Sequence, residues 1–237
     1  MTSGDDRAPV VVITGVGRAG QVGEAIASHF AALGWQLVLL DRDAAELAAR
    51  AAALGAAGAS VTALPLDLTD GDAAHAAAAR VRAERGPAVH ALVCAAGGFA
   101  MCGPGAEASL DGFRTQMAIS LLTAAVATQA FLPLLRVGGG GVVFFASAAV
   151  LEGGRVAGMS AYAAAKAGVL ALMRAVAQEE AVNGVRANAV APTSIRTAAN
   201  EAAMGADGSY VERATVARAV QWLATTPSVT GQVLRLG

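Results

Sequence analysis

The most constraining feature of this chain is a series of seven short, largely apolar runs, each set off by a stretch with helical spacing. The runs are residues 10–14 (Val-Val-Val-Ile-Thr), 36–40, 61–66, 89–93, 142–145, 185–190 and 232–236. A strand apolar on both faces must be covered on both faces, which favours a parallel sheet between helical layers. Residues 23–33, 44–54, 70–85, 110–135, 160–182 and 211–224 read as the helices. The alternation predicts an α/β fold: one doubly wound, seven-stranded parallel sheet in a three-layer sandwich. A length of 237 residues suits one such domain, and no repeat divides it. Residues 1–237 are therefore read as one domain, with a flexible polar start at 1–9 and a short, irregular substrate lid at 193–210.

Composition excludes several function classes. Net charge is −1, with no basic excess to hold nucleic acid. Cys94 and Cys102 are too few for a disulfide framework or a zinc site, so no metal is expected. The polar N-terminus has no signal-peptide core, and the chain reads as cytoplasmic. Residues 115–135 run 21 positions without a charge, long enough to span a bilayer. Thr115, Gln116, Ser120, Thr123, Thr128 and Gln129 interrupt that stretch, so a buried or interfacial helix is expected and no membrane partner.

The first apolar run leads into Thr14-Gly15-Val16-Gly17-Arg18-Ala19-Gly20-Gln21-Val22-Gly23. Glycines between a strand and a helix let backbone approach a pyrophosphate, and the helix start supplies unpaired N–H groups. Gly15, Gly17 and Gly20 spell GxGxxG, which gains weight directly after an apolar strand. The turn points to a Rossmann-type dinucleotide site. Asp41 closes the second run, where a carboxylate can accept bonds from an adenosine ribose and would repel a 2′-phosphate. Arg18 and Arg42 pull towards that phosphate. NAD(H) is favoured, with NADP(H) open.

Tyr162-Ala163-Ala164-Ala165-Lys166 puts a phenol and an ammonium on one helical face. The nearby charge is expected to favour phenolate and lower the Tyr162 pKa. Lys166 is the only lysine in the chain, beside 16 arginines, which suggests a chemical demand for an ammonium. Ser147 follows the fifth run, on the rim where doubly wound folds bind ligands. Its hydroxyl could bond a substrate oxygen.

Across nearly its whole length the sequence resembles the short-chain dehydrogenase/reductase family. The resemblance rests on the glycine loop, Asp41, Asp67-Leu68-Thr69, Ala96-Gly97, Ser147, Tyr162, Lys166, Asn188-Ala189-Val190-Ala191-Pro192 and Thr230-Gly231-Gln232-Val233-Leu234, in family order. It implies Tyr162 as general acid/base, Lys166 on the nicotinamide ribose, and Ser147 on the substrate oxygen. It implies cofactor contacts from Gly15, Gly17, Arg18, Gly20, Val22, Asp41, Arg42, Asp67, Leu68, Ala95, Ala96, Gly97, Pro192, Ile195 and Thr197. Ser120 stands where the family's catalytic tetrad has Asn, and a Ser lacks an Asn's reach. The loop is two residues longer than the family's if Gly20 and Gly23 are its later glycines. The usual Asn-Asn-Ala-Gly is here Cys94-Ala95-Ala96-Gly97, and the family's Pro-Gly is Pro192-Thr193.

Cys94-Ala95-Ala96-Gly97-Gly98-Phe99, Ser120 and the short segment after Pro192 are similar to the dihydropteridine reductase branch, whereas Ser147 departs from it. Three functions therefore stand: a carbonyl/alcohol oxidoreductase, a dihydropteridine-type reductase of a quinonoid ring, and a dinucleotide-binding sensor without turnover. Phe99, Met101, Val150, Met159 and Met204 are candidate linings for a fairly apolar small-molecule substrate. The apolar faces of residues 115–135 and 160–182 imply a homodimer or homotetramer.

Overall fold

The computed structural model describes residues 8–105 and 107–237, so the expected loose start at 1–9 lies, through residue 7, outside the described residues. Seven strands form one sheet: β1 (Val10–Thr14), β2 (Gln36–Asp41), β3 (Val61–Pro65), β4 (Ala91–Cys94), β5 (Gly141–Phe145), β6 (Arg186–Pro192) and β7 (Val233–Leu236). Their order is β3-β2-β1-β4-β5-β6-β7, and every pairing is parallel. The winding reverses between β1 and β4. At that switch point the two outgoing loops part and leave a crevice at the carboxyl edge of the sheet.

The helices are α1 (Val22–Ala32), α2 (Ala44–Ala56), α3 (Gly71–Arg85), α4 (Leu110–Gln116), α5 (Thr123–Gly138), α6 (Ser160–Glu179), α7 (Ala198–Met204) and α8 (Arg213–Thr225). Local chemistry starts several of them. Asp43, Asp70, Ser109 and Thr197 each accept a first-turn N–H through the side chain, worth about 1 kcal/mol apiece. Helices α1, α2 and α8 cover one sheet face, where Ile13, Ile26, Phe30, Leu37, Leu39 and Val220 form one core cluster. Helices α3, α5 and α6 cover the other, around Leu92, Phe131, Leu135, Phe144 and Met173. Each fully buried Leu or Phe contributes roughly 2 kcal/mol by removal from water. The abundant alanines keep the helices close to the sheet: Ala124, Ala127 and Ala130 of α5 are all buried.

Two elements differ from the sequence reading. The helix expected over 110–135 is interrupted by a π-helical turn at Met117–Leu122, between α4 and α5. The segment 193–210, expected to be irregular, is not wholly so, because Thr197 caps the seven-residue helix α7. Leu110–Gly138 passes a length-and-composition test for a membrane span, yet just over half of its most apolar window is buried inside the fold. Its apolarity is that of a core helix.

Candidate active site

Parallel strands bring all the predicted site loops to one edge. Gly15 leaves β1 at φ +75°, and its N–H donates to the Leu40 carbonyl at 2.8 Å. A Cβ on Gly15 would stand 2.8 Å from the Ala96 backbone, so the turns after β1 and β4 meet backbone to backbone there. Thr14 Oγ1 holds them together by accepting from the Ala96 N–H at 2.9 Å. Gly23 is pressed harder still: its Cβ would meet the Gly15 carbonyl oxygen at 2.1 Å. Only glycine permits this close packing of loop and helix start.

The loop has the chemistry of an anion cradle. The N-cap of α1, Gln21, makes no side-chain cap bond, so the first-turn N–H groups, beginning at Val22, remain without a side-chain cap. Asp41 Oδ2 accepts the Gly17 N–H at 2.8 Å, and Oδ1 accepts from the Asp43 N–H at 3.1 Å. That places the carboxylate at the end of β2, beside the glycine turn. Arg18 and Arg42 are exposed nearby. After β3, Asp67 accepts the backbone N–H and hydroxyl of Thr69, both at 2.8 Å, which hold its carboxyl below the usual range. Leu68 beside it is buried. Ala95, Ala96 and Gly97 line the turn after β4, and the buried Pro192 ends β6. Ile195 bridges to Val211, and Thr197 is buried as the cap of α7. A free helix start, glycines where a Cβ would strike backbone, and an acid at the second strand's end fit a dinucleotide.

The candidate reacting groups gather across the crevice. Ser147 lies just past β5, 8% exposed, its hydroxyl accepting the Ala149 N–H at 3.3 Å. Tyr162 is in the first turn of α6, and Lys166 follows one turn later with its Nζ 5.9 Å from the Tyr162 ring centroid. The Phe99 ring meets Tyr162 edge-on at 5.0 Å. Burial raises the Tyr162 pKa, and a bond with the Ser147 hydroxyl partly opposes that rise. Burial also pulls Lys166 down to about 8. Its ammonium donates to the Phe145 carbonyl at 2.7 Å. The expected lowering of the phenol pKa by Lys166 is therefore not the balance found here. Desolvation governs both groups while the ammonium is bonded to the sheet end.

Ser120 lies within the π turn, 2% exposed, and its hydroxyl has no partner among the described residues. A Cβ built on Gly97 would stand 3.6 Å from Ser120 Oγ and 3.7 Å from both the Ile119 carbonyl oxygen and Lys166 Nζ. Ser120 thus faces the lysine's surroundings across a glycine. One turn earlier, Gln116 Oε1 is also buried without a partner, a feature that hydrophobic spacing gave no signal for.

Of the candidate lining residues, Phe99, Met101 and Met204 are more than half exposed, while Val150 and Met159 are half-buried. Met101 reaches the turn at Gly158 that precedes α6. Arg196 fastens the segment 193–210: it pairs with Glu201 at 2.8 Å and Glu212 at 2.7 Å and stacks over Tyr210 at 4.8 Å. A separate cleft of about 630 Å³ lies between α1 and α8, not over Tyr162. Glu24 and Arg213, beside the glycine loop, escaped the sequence reading. For Glu24 a signal existed, an acid in the first turn of a helix. For Arg213, 193 residues beyond Gly20, none did.

A family model described as short chain dehydrogenase matches residues 9–206. D-threitol dehydrogenase of Mycolicibacterium smegmatis is 34% identical, covering 79% of this chain and 70% of its own. Galactitol 2-dehydrogenase (L-tagatose-forming) of Cereibacter sphaeroides is 37% identical over 78% of this chain and 70% of its own. Among solved structures, the citronellol catabolism dehydrogenase AtuB of Pseudomonas aeruginosa PAO1 superimposes with a TM-score of 0.83 at 30% identity, covering 96% of this chain and 92% of that one.

Proposed function

The chain belongs to the short-chain dehydrogenase/reductase family of oxidoreductases, and from that premise we propose that it moves hydride between NAD(H) and a small, fairly apolar carbonyl or alcohol. The observation that carries the reading is the gathering of Ser147, Tyr162 and Lys166 beside the turn at Gly97, on the edge where the glycine loop opens. The nicotinamide supplies the hydride when bound. Tyr162 gives a proton to the substrate oxygen during reduction and takes one during oxidation. The Ser147 hydroxyl polarises that oxygen. Lys166, one helical turn from the phenol, holds the nicotinamide ribose.

Asp41 at the end of β2 favours NAD(H), because its carboxylate would meet a 2′-phosphate with like charge. Arg18 and Arg42 keep NADP(H) as the second choice, and titration with both dinucleotides decides it. Two of the relatives are named for polyols, yet exposed Phe99, Met101 and Met204 favour a less polar substrate for this chain. Residues 193–210 serve as the lid. We also propose a cytoplasmic homodimer or homotetramer, because Leu110, Phe113 and Leu122 expose apolar area along α4 and the π turn. Light scattering checks the assembly.

The central test is turnover of a carbonyl and alcohol panel followed at the nicotinamide absorbance. Tyr162→Phe should lower kcat by about 10²–10⁴-fold while NADH still binds. Unchanged turnover would refute the assigned proton donor, and NADH binding without turnover of any panel member by the native chain would favour a sensor. In the same assay Ser147→Ala should nearly abolish carbonyl reduction. Retained activity on a quinonoid pterin would instead favour the dihydropteridine-type reading suggested by the turn at 94–99 and by Ser120.

A further inference from the structure

The glycine loop does not end at the α1 start; its extra length carries Gly20 to a three-way junction. A Cβ on Gly20 would stand 3.6 Å from the Ala198 methyl of α7 and 3.9 Å from a terminal nitrogen of Arg213, the first residue of α8. The charges around that junction are unevenly paired. Glu24 accepts the Gly20 N–H at 2.7 Å and pairs with Arg50 at 2.8 Å. Glu212, next to Arg213, is committed to Arg196 at 2.7 Å. Arg213 acts on Glu24 only through space and makes no ion pair among the described residues. Arg196 also pairs with Glu201 of α7 at 2.8 Å, so among the described residues three acids and three bases balance around the junction, and Arg213 is the base among them without a direct ion pair.

The place of that charge in its own helix is unfavourable. The N-terminal turn of a helix carries partial positive charge, so a cation at the first position of α8 is disfavoured unless an anion lies close. Glu24 is already neutralised by Arg50. The free N–H groups of the α1 start and the Arg213 guanidinium therefore converge on one unfilled requirement, an anionic phosphate oxygen.

We propose that Arg213 is a phosphate-binding residue that seats the pyrophosphate of the dinucleotide against the α1 start and joins it to the lid helix α7. The inference rests on the dinucleotide reading above, and its test separates the two. ADP carries the pyrophosphate without a 2′-phosphate, and adenosine carries neither. Binding of each to the full chain is measured by competition with NADH fluorescence, for the native protein, Arg213→Gln and Arg213→Lys. Loss of one charge-assisted contact should weaken ADP and NADH binding to Arg213→Gln by about tenfold. Adenosine binding should stay unchanged, and Arg213→Lys should recover part of the loss. The melting temperature of cofactor-free Arg213→Gln should hold or rise, because a misplaced cation leaves the helix start. Native-like ADP binding by Arg213→Gln, or an equal loss for adenosine, overturns the assignment of Arg213 alone. A native chain that binds neither NADH nor ADP overturns the dinucleotide reading with it.

Discussion

The turn after β1 and the first two turns of α6 face each other across one crevice, yet they are built from opposite materials. The first is almost all backbone. Its close packing depends on groups that are missing, the Cβ atoms of Gly15 and Gly23, and its polar contacts include N–H groups bonded to carboxylates at 2.7–2.8 Å. The second is almost all side chain, and it takes a cation out of water: Lys166 is 7% exposed and bonded to a single carbonyl. Substitution in the turn adds an atom where none fits, which damages the fold. Substitution at Lys166 removes a charge whose burial costs stability, which relieves the fold and damages the chemistry. The two regions should therefore respond to mutation with opposite signs in stability.

The largest effect is expected in the turn. Gly23→Ala puts a methyl 2.1 Å from the Gly15 carbonyl oxygen, and backbone cannot give way as a flexible side chain would. Stability to urea should fall by about 3 kcal/mol or more, at the upper end of overpacking costs. Gly20→Ala, which meets only Ala198 and Arg213 at 3.6 Å and beyond, should lose much less, its cost arising from φ +70°. Equal losses at the two sites would mean that backbone crowding is not what the loop glycines provide.

Lys166 should go the other way. Its folded-state pKa is about 8 against an unfolded value of 10.5, so between those values the unfolded chain holds a proton that the folded chain has released. Stability from this group is therefore lowest below pH 8 and rises as pH climbs from 8 to 10.5. Lys166→Met should gain about 2 kcal/mol at pH 7, lose turnover, and show a flatter stability profile over that interval. A Lys166→Met protein less stable than the native one at pH 7 would show that the bond to the Phe145 carbonyl outweighs desolvation.

The same contrast decides what the sequence made legible. The strands were readable because burial on both faces imposes apolar runs such as 10–14 and 142–145. The placement of the candidate site was readable where spacing fixes a shared face, as at Tyr162 and Lys166, or where a chain of arginines holds one lysine. The π turn at Met117–Leu122 left no trace, since one extra residue per turn does not disturb a helix uncharged from 115 to 135. Helix α7 could have been found from Thr197 followed by Ala-Ala-Asn-Glu-Ala-Ala, a cap before good helix formers. The meeting of Arg213 with Gly20 is set by the packing of α1 on α8, and no local pattern encodes it. Nor does YxxxK spacing reveal that the ammonium bonds a strand-end carbonyl, because rotamer choice follows from the finished cavity.

The smallest expected effect lies between the two regions and sharpens their difference. Ser120 resembles the loop in meeting a glycine, Gly97, and resembles Lys166 in being a buried polar group. Its hydroxyl has no partner among the described residues, so it bears desolvation without a compensating bond. Ser120→Ala should therefore leave stability to urea unchanged or raise it by about 1 kcal/mol. The space beside Gly97 offers another outcome. Ser120 Oγ, the Ile119 carbonyl oxygen and Lys166 Nζ surround it at 3.6–3.7 Å, a donor, an acceptor and a hydroxyl suited to one ordered water. A loss of more than about 1 kcal/mol in Ser120→Ala would mean that such a water satisfies the hydroxyl. Ser120 would then belong to the side-chain region, holding the lysine's surroundings in place across a glycine that admits the water by lacking a Cβ.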